Sequence, residues 1–192
     1  MSVDHPDDFE EQRHEFLRQI EPTISNWEGQ PPNLLDMFEP EEIDCLLSDC
    51  VKNILEDGSW HRAFVKFVVR SDYVDVPDLD EDGKPRRLRR TTPIHHVARH
   101  KEFLDLAFVV RGLFQMYKCD VNYTDETGLT HFHVACMSGC EDIVKEFLEL
   151  GQDPNVLVPE TRDSPLHFAL IYGRKTDRRD AAKARRRSER GQ

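Results

Sequence analysis

Several features are scarce in this 192-residue sequence, and each scarcity argues against a class of protein. The longest apolar run, LDLAFVV at 104–110, is interrupted by Asp105 and is far too short to cross a bilayer. The N-terminus, MSVDHPDDFEEQ, lacks the basic and then apolar pattern of a secretion signal. The five cysteines are irregularly spaced, which does not suggest a disulfide framework. We therefore expect an intracellular, cytoplasmic protein with reduced thiols and no membrane segment.

Catalytic and cofactor-binding motifs are missing as well. The sequence has no glycine-rich phosphate loop and no serine nucleophile motif. Paired carboxylates such as Glu10-Glu11 and Glu41-Glu42 fall in an acidic region, where solvation is the ordinary explanation. We therefore predict a protein that is not an enzyme and has no catalytic residue, no cofactor and no small-molecule substrate.

Charge is present in abundance, but its sign changes along the chain. The net charge is −11, and residues 1–60 hold sixteen Asp or Glu against three Lys or Arg. The last stretch, 174–192, holds nine Lys or Arg against three Asp or Glu. Such a basic end is more often a solvated tail than a nucleic-acid patch, and no aromatic residue stands among its arginines to stack on bases.

Three similar phrases recur along the chain. TPIHHVA begins at 92, THFHVAC at 130 and SPLHFAL at 164, so the starts are 38 and then 34 residues apart. Between the last two phrases, GCEDIVKEFLELG at 139–151 places its apolar residues on one helical stripe and ends at a glycine. A fixed period of this length indicates a repeat protein, in which each unit packs on its neighbours.

The segment 122–155, NYTDETGLTHFHVACMSGCEDIVKEFLELGQDPN, resembles an ankyrin repeat almost position by position. Its central phrase is also similar to divergent ankyrin proteins of hymenopteran insects. The resemblance implies that His95, His133 and His167, one in each repeat, tie neighbouring repeats together by hydrogen bonds. It also implies that Ala135 and Cys136 occupy positions where only small residues fit between helices.

An alternative interpretation of 130–140 is a metal site or a Cys/His nucleophile. Its ligands would be His131, His133, Cys136 and Cys140. Residues that bind one metal together are not expected to recur singly in each repeat. His133 recurs as His95 and His167, yet the flanking repeats have proline at the position of His131 and no cysteine at that of Cys136. The expected CxxC-type spacing is absent too. We therefore interpret the four residues as structural and predict no metal.

The resemblance implies an all-α fold: an ankyrin-repeat solenoid of helix-turn-helix units with hairpin fingers and a degenerate N-terminal cap. We expect an acidic flexible arm at 1–33 with one weak helix, and a helical cap or degenerate repeat with a long finger at 34–91. Ankyrin repeats follow at 92–173, two complete and one truncated, and then a basic tail at 174–192. The truncation predicts that Leu166, Ala169 and Leu170 are exposed, because no apolar outer helix follows Gly173.

Helical spacing predicts which other side chains are buried. The expected stripes are Ile43, Leu46, Leu47, Val51, Ile54 and Leu55 in the cap, Phe64, Phe67, Val68 and Tyr73 after it, and Leu104, Ala107, Phe108, Leu113 and Phe114 in the first repeat. Arg90 and Arg162 stand where a turn glycine is common, so we expect them to resist a left-handed hairpin conformation.

Similarity to ankyrin proteins implies recognition of a partner protein, whose identity the sequence does not give. We predict that the surface consists of finger residues and of inner-helix residues that the repeat pattern leaves free. These are Glu126, Thr127, Leu129, Val134, Met137 and Ser138 in the second repeat, Leu88, Arg89, Thr91, His96, Arg99 and His100 in the first, and Glu160, Thr161, Asp163, Phe168, Ile171 and Tyr172 in the third. The alternative is a nuclear or nucleic-acid-associated regulatory protein that acts through the basic tail.

Overall fold

The protein is described by a computed structural model that covers residues 6–55, 59–100 and 106–173. Within these ranges the chain forms eight α-helices and no strands. The helices are α1 (Pro6–Ser25), α2 (Pro40–Lys52), α3 (Ser59–Arg70), α4 (Pro93–Ala98), α5 (Ala107–Met116), α6 (His131–Ser138), α7 (Glu141–Glu149) and α8 (165–173). A short 3-10 turn, Leu34–Asp36, precedes α2.

The helices stack in two rows. The inner row contains α2, α4, α6 and α8, and the outer row contains α3, α5 and α7. Contacts run along each row, as between α2 and α4 or α3 and α5, and across each pair, as between α6 and α7. This is the predicted all-α ankyrin stack, and α2 with α3 forms its first helix pair.

A threonine or serine caps each of the last three inner helices, together with a histidine three residues later. The Nδ1 atoms of His95, His133 and His167 accept hydrogen bonds from the backbone N–H of Thr92, Thr130 and Ser164, at 3.0, 3.2 and 3.2 Å. The Nε2 of His133 donates to the carbonyl of Val156 in the next finger, at 3.2 Å. These caps supply partners for backbone donors that a helix leaves free at its start.

His131 occupies the position that is proline in the other two phrases, and it joins the first repeat to the second. Its side chain is fully buried, and Nε2 lies 2.7 Å from Thr92 Oγ1. The ring lies 4.8 Å from that of His95 and meets the edge of Phe114 at 6.0 Å. Nδ1 has no hydrogen-bond partner among the described residues, so we place the proton on Nε2, where it can be donated to Thr92.

The first two fingers are hydrogen-bonded to each other, and the third lies close against the second. The N–H of Thr124 donates to the carbonyl of Leu88 at 2.8 Å, and the N–H of Arg90 donates to the carbonyl of Thr124 at 2.9 Å. Gly128 turns the second finger with φ 89°, and a β-carbon there would lie 2.3 Å from Cδ of Pro159 in the third finger. The fingers therefore form a connected layer at one end of the inner helices.

Arg90 anchors the first finger through a polar cluster. Its guanidinium lies 2.9 Å from Asp75 and 3.0 Å from Asp44. Tyr123 donates its hydroxyl proton to Asp75 at 2.9 Å, and Tyr117 donates to Asp44. The arginine therefore joins the first finger, α2 and the second repeat, which explains an arginine where a turn glycine is common.

Arg162, the other arginine at such a position, does adopt a left-handed conformation, with φ 62°. The expectation that it would resist this geometry was wrong. The third finger instead closes by backbone hydrogen bonds from Arg162 to Val158 and from Val158 to Asp163, at 2.9 and 3.0 Å.

The acidic N-terminal segment contains more structure than the sequence predicted. Residues 6–25 form a 20-residue helix that packs on α3, with Leu17 fully buried and Ile24 nearly so. Arg13 also bonds to the buried carboxylate of Asp49 in α2, at 2.5 Å. Residues 6–25 are therefore not a weak helix in a flexible arm, because tertiary contacts hold this helix on the first helix pair.

Most of the predicted core is confirmed among the described residues, although Ala107 is only partly buried and two residues are exposed. Leu55 and Phe108 are exposed, although helical spacing assigned both to buried stripes. In α5 the buried residues are instead Val109, Val110 and Met116 together with the predicted Leu113 and Phe114. Leu104, which was assigned to the same stripe, lies outside the described residues.

The last described helix, α8, exposes two of the three apolar side chains that the sequence predicted to be exposed, and the truncation of the third repeat stays a prediction. Leu166 is 62% exposed and Leu170 is 51% exposed, whereas Ala169 is partly covered. The predicted basic tail at 174–192 lies outside the described residues. The nuclear or nucleic-acid function that depends on this tail stays a prediction. The division of the chain into four segments stays a prediction.

Gly128→Ala should destabilise the protein more than Gly139→Ala. Both glycines have positive φ, so either alanine should cost roughly 1–2 kcal/mol in the free energy of unfolding. Only at Gly128 would the new methyl group overlap the rigid ring of Pro159, which should add about 1–3 kcal/mol. Urea unfolding of the two variants measures this difference, and equal losses would contradict the close approach of the second and third fingers.

Acid should destabilise the repeat stack before its carboxylates titrate. Burial lowers the pKa of His95 and His96 to about 4, and it also lowers the pKa of His131 and His133. Because these folded values lie below the ordinary 6.5, the unfolded chain binds more protons below pH 6.5. Stability that is complete above pH 6.5 should therefore be lost as the pH falls toward 4, by about 1.4 kcal/mol per pH unit for each histidine.

The measurement is the free energy of unfolding in urea from pH 7.5 to pH 5. His96→Gln serves as a control, because it removes one of these histidines without touching a helix cap and should reduce the pH dependence by one histidine's share. A free energy of unfolding that stays constant from pH 7 to pH 5 would show that the histidines are not buried in the neutral form.

Candidate protein-binding surface

Most of the predicted surface residues lie where a partner could reach them. The exposed positions are Arg89, Arg99, Glu126, Thr127, Glu160, Thr161 and Ile171, and the partly exposed ones are Thr91, His96, Leu129, Ser138, Asp163 and Tyr172. Among the further candidates, Leu88 is exposed and His100 and Phe168 are partly exposed. They come from three fingers and from α4, α6 and α8, as the repeat pattern predicted. Their role in binding stays a prediction.

Two predicted residues are in the core instead. Val134 is fully buried and Met137 is 5% exposed, although both were assigned to the surface of the inner helix. The reason is that α6 lies between α4 and α8, so neighbours cover it on both sides. Seven of its eight residues are buried, which leaves only Ser138 partly accessible.

A polar network joins the first two fingers to α4. Arg99 donates to Asp125 at 2.8 Å and to Glu126 at 2.5 Å. Thr91 donates its hydroxyl proton to the other oxygen of Glu126, and Arg89 donates to the backbone carbonyl of Glu126 at 3.0 Å. The repeat pattern placed Arg89, Thr91, Arg99 and Glu126 on the surface separately, and the structure brings the first three into contact with Glu126.

This network determines the charge of the surface. The hydrogen bond from Thr91, aided by Arg99, lowers the pKa of Glu126 to about 2, so the carboxylate is ionised at neutral pH. Its charge is balanced locally by Arg99. The side chains of Glu126 and Arg99 are both more than two-fifths exposed, so their pairing is screened by solvent and mainly fixes geometry.

Asp125 organises the second finger from within, and the sequence analysis did not single it out. One carboxylate oxygen accepts hydrogen bonds from the N–H of Thr127, the hydroxyl of Thr127 and the N–H of Leu129, at 2.9, 2.7 and 2.9 Å. Burial acts to raise the pKa of Asp125, but hydrogen bonds from Thr127 and Arg99 outweigh it, and the pKa is lowered. The signal in the sequence was an Asp three residues before Gly128, typical of a side chain that closes a turn.

The segment 130–140 contributes packing rather than a ligand set. His131 and His133 are fully buried, and their ring nitrogens bond to Thr92, Thr130 and Val156 as described above. Cys136 and Cys140 are buried free thiols, and burial raises the pKa of Cys136 to about 12. A thiol with such a pKa is neither a good nucleophile nor a ready metal ligand at neutral pH.

One group in the described part of the chain could offer three ligand atoms to a metal. Atoms of Glu10, His14 and Asp49 lie within 4.8 Å of one another. Both oxygens of Asp49 are already occupied by cationic side chains, those of Arg13 at 2.5 Å and Lys52 at 3.4 Å. A metal ion would have to displace or sit beside these two positive charges, so the cluster fits an ion-pair network better than a metal site.

Comparison with known proteins agrees with the repeat architecture. The family model for ankyrin repeats (3 copies) matches residues 47–158 and 94–183. Protein phosphatase 1 regulatory subunit 27 is 30% identical to this chain over 95 residues in both Mus musculus and Homo sapiens. That alignment covers 47% of this chain and 62% of each relative, which is less than two thirds of the relative's length. No solved structure matches the chain.

The expectations about insect relatives and about location in the cell are not tested by these comparisons. The resemblance to insect ankyrin proteins stays a prediction, since the two relatives are mammalian. Among the described helices, none is both long and apolar enough to cross a membrane. The cytoplasmic or nuclear location of the protein also stays a prediction.

Thiol reactivity should distinguish packing cysteines from reactive ones. Cys45 is exposed, whereas Cys50, Cys119, Cys136 and Cys140 are buried. We expect one thiol per chain to react quickly with Ellman's reagent at pH 8 and the other four to react only after denaturation. Cys45→Ser should abolish the fast phase and leave the slow one. A fast phase that persists in this variant but disappears when Cys136 and Cys140 are also replaced by serine would contradict the burial of segment 130–140.

Proposed function

The chain belongs to the ankyrin repeat family, and on that premise we propose that it is a non-catalytic module that binds a partner protein through its fingers and inner helices. Ankyrin stacks present extended surfaces rather than enclosed pockets, and such surfaces suit the recognition of proteins. We call the exposed side chains of residues 88–91, 126–129 and 160–163 the finger surface.

The observation that supports this proposal is the fixed geometry of the fingers. Glu126 is bonded to Thr91 and Arg99, and Asp125 closes the turn beside it. Because these contacts exist before any partner arrives, little conformational entropy is lost on binding. A pre-organised loop layer is the arrangement expected of a recognition surface.

The side chains that hold the network are distinct from those that remain for a partner. Leu88 is 48% exposed at the edge of the first finger, and Glu160 is exposed on the third. An exposed leucine beside polar residues can bury apolar surface against a partner, and a few residues carry most of the energy of an interface. We therefore propose that Leu88 and Glu160 contact the partner directly.

The relatives suggest a candidate partner. Both are named as a regulatory subunit of protein phosphatase 1. We propose this phosphatase as the first partner to test. The proposal for this chain rests on similarity that covers about half of its length.

The test compares a finger variant with a matched outer-helix variant. The finger variant is Leu88→Ala with Glu160→Ala, and the control is Leu148→Ala with Glu149→Ala on α7, where Leu148 is 45% exposed. Each pair removes one exposed leucine and one glutamate. Binding to immobilised protein phosphatase 1 catalytic subunit should weaken at least tenfold for the finger variant, about 1.4 kcal/mol, and stay unchanged for the control.

The experiment distinguishes a wrong choice of partner from a wrong choice of binding surface. If neither the parent nor the control binds the phosphatase, the choice of partner is wrong. The same three proteins can then be compared in affinity capture, where proteins retained by the parent and control but not by the finger variant would support the surface. A finger variant that retains every partner of the parent would refute it.

A further inference from the structure

A groove runs between α1 and α2, and none of the residues that line it belongs to the finger surface. Its volume is about 450 Å³, and its floor and walls are formed by Phe9, Phe16, Phe38, Cys45 and Leu46. We propose that this groove is a second binding site, which takes an amphipathic helix of a partner with apolar anchors and flanking lysine or arginine residues. It is independent of the function proposed for the fingers.

The groove is apolar, with aromatic side chains that nothing covers within the described chain. Phe9 is 49% exposed and Phe16 is 37% exposed, and they are seven residues apart, so they lie on one face of α1. Phe16 meets the ring of Phe38 edge to face at 6.0 Å, while Leu46 forms the buried floor. Grooves of this kind accept side chains spaced at i, i+3 and i+7 from a helix.

The charge around the groove selects the sign of the partner. Helices α1 and α2 together contain ten Asp or Glu residues against three Lys or Arg. All three cations are already engaged: Arg13 and Lys52 with Asp49, and Arg18 with Glu15 at 3.3 Å. The charged residues that line the groove itself are Glu41, Glu42 and Arg13, and the charge of Arg13 is already paired with Asp49. A partner with basic residues beside its apolar anchors therefore complements the site.

Other occupants fit the groove less well. The chain's own basic segment, 174–192, has no apolar side chain larger than alanine, so it cannot fill an aromatic groove. A second copy of the chain would bring the same acidic helices, and with a net charge of −11 two copies repel each other. A basic amphipathic helix of another protein satisfies both the apolar floor and the acidic rim.

The test uses designed peptides as probes, because the natural partner is not identified. An 18-residue fluorescein-labelled helix of leucine and lysine should bind the full chain in a saturable, one-to-one manner, measured by fluorescence anisotropy in 150 mM salt. Two control peptides of equal length should bind at least tenfold more weakly: one with glutamate in place of lysine, and one with serine in place of leucine. Equal binding of the serine peptide would show charge attraction alone and overturn the proposal.

Variants locate the site. Phe9→Ser with Phe16→Ser should weaken binding of the leucine-lysine peptide at least tenfold. The matched control, Leu148→Ser with Leu150→Ser, removes two similarly exposed side chains near α7 and should leave binding unchanged. Equal weakening by both pairs would overturn the proposal. The finger variant described above should bind the peptide like the parent, so failure at one surface does not imply failure at the other.

Two further outcomes would assign the groove to a different occupant. Light scattering that shows a dimer of the parent chain, and a monomer of the phenylalanine variant, would make a second copy the occupant. Displacement of the probe by a synthetic peptide of residues 174–192 would make the chain's own segment the occupant. Either result overturns the proposal, whereas a monomeric parent and an undisplaced probe support it.

Discussion

The hydrogen-bonded pair of a threonine or serine with the histidine three residues later is the interaction on which the repeat stack depends. Inner helices α4 and α6 have only six and eight residues, a length at which isolated helices do not persist in water. The cap satisfies backbone donors at the helix start, and at His133 the same ring reaches the next finger through Val156. One side chain therefore begins a helix and sets the position of its neighbour.

The position of the fingers follows from this constraint. Because each cap lies where a finger enters its inner helix, the fingers are brought side by side, and the first two hydrogen-bond to each other. Arg90 and Asp125 then fix the first and second fingers from within. Glu126, Thr91 and Arg99 connect them at the surface, so their alignment does not require a partner.

The period of the sequence and its resemblance to the ankyrin pattern were enough to predict the repeats and the exposed face of α8. The three histidines were expected to tie neighbouring repeats together, whereas the structure uses all three as helix caps and His133 also bonds to the next finger. Burial that depends on a neighbouring unit was harder to predict. Val134 and Met137 occupy pattern positions that face solvent on an isolated unit, and the helices on both sides of α6 bury them. For the same reason the sequence left open whether the apolar face of α1 folds back on the chain or binds a partner, and Leu17 is buried because α1 packs on α3, more than forty residues away.

Some finger residues hold the fingers in place, and others are available to contact a partner. Only the second group is expected to confer specificity. Glu126 and Thr127 were attractive candidates from the sequence, but their side chains are hydrogen-bonded to Thr91, Arg99 and Asp125. A partner that took over those bonds would gain little, because it would replace contacts that the free protein already has. Specificity at the fingers should therefore come from side chains with no such task, such as Leu88, and affinity should come from the order that the bonded residues impose on them.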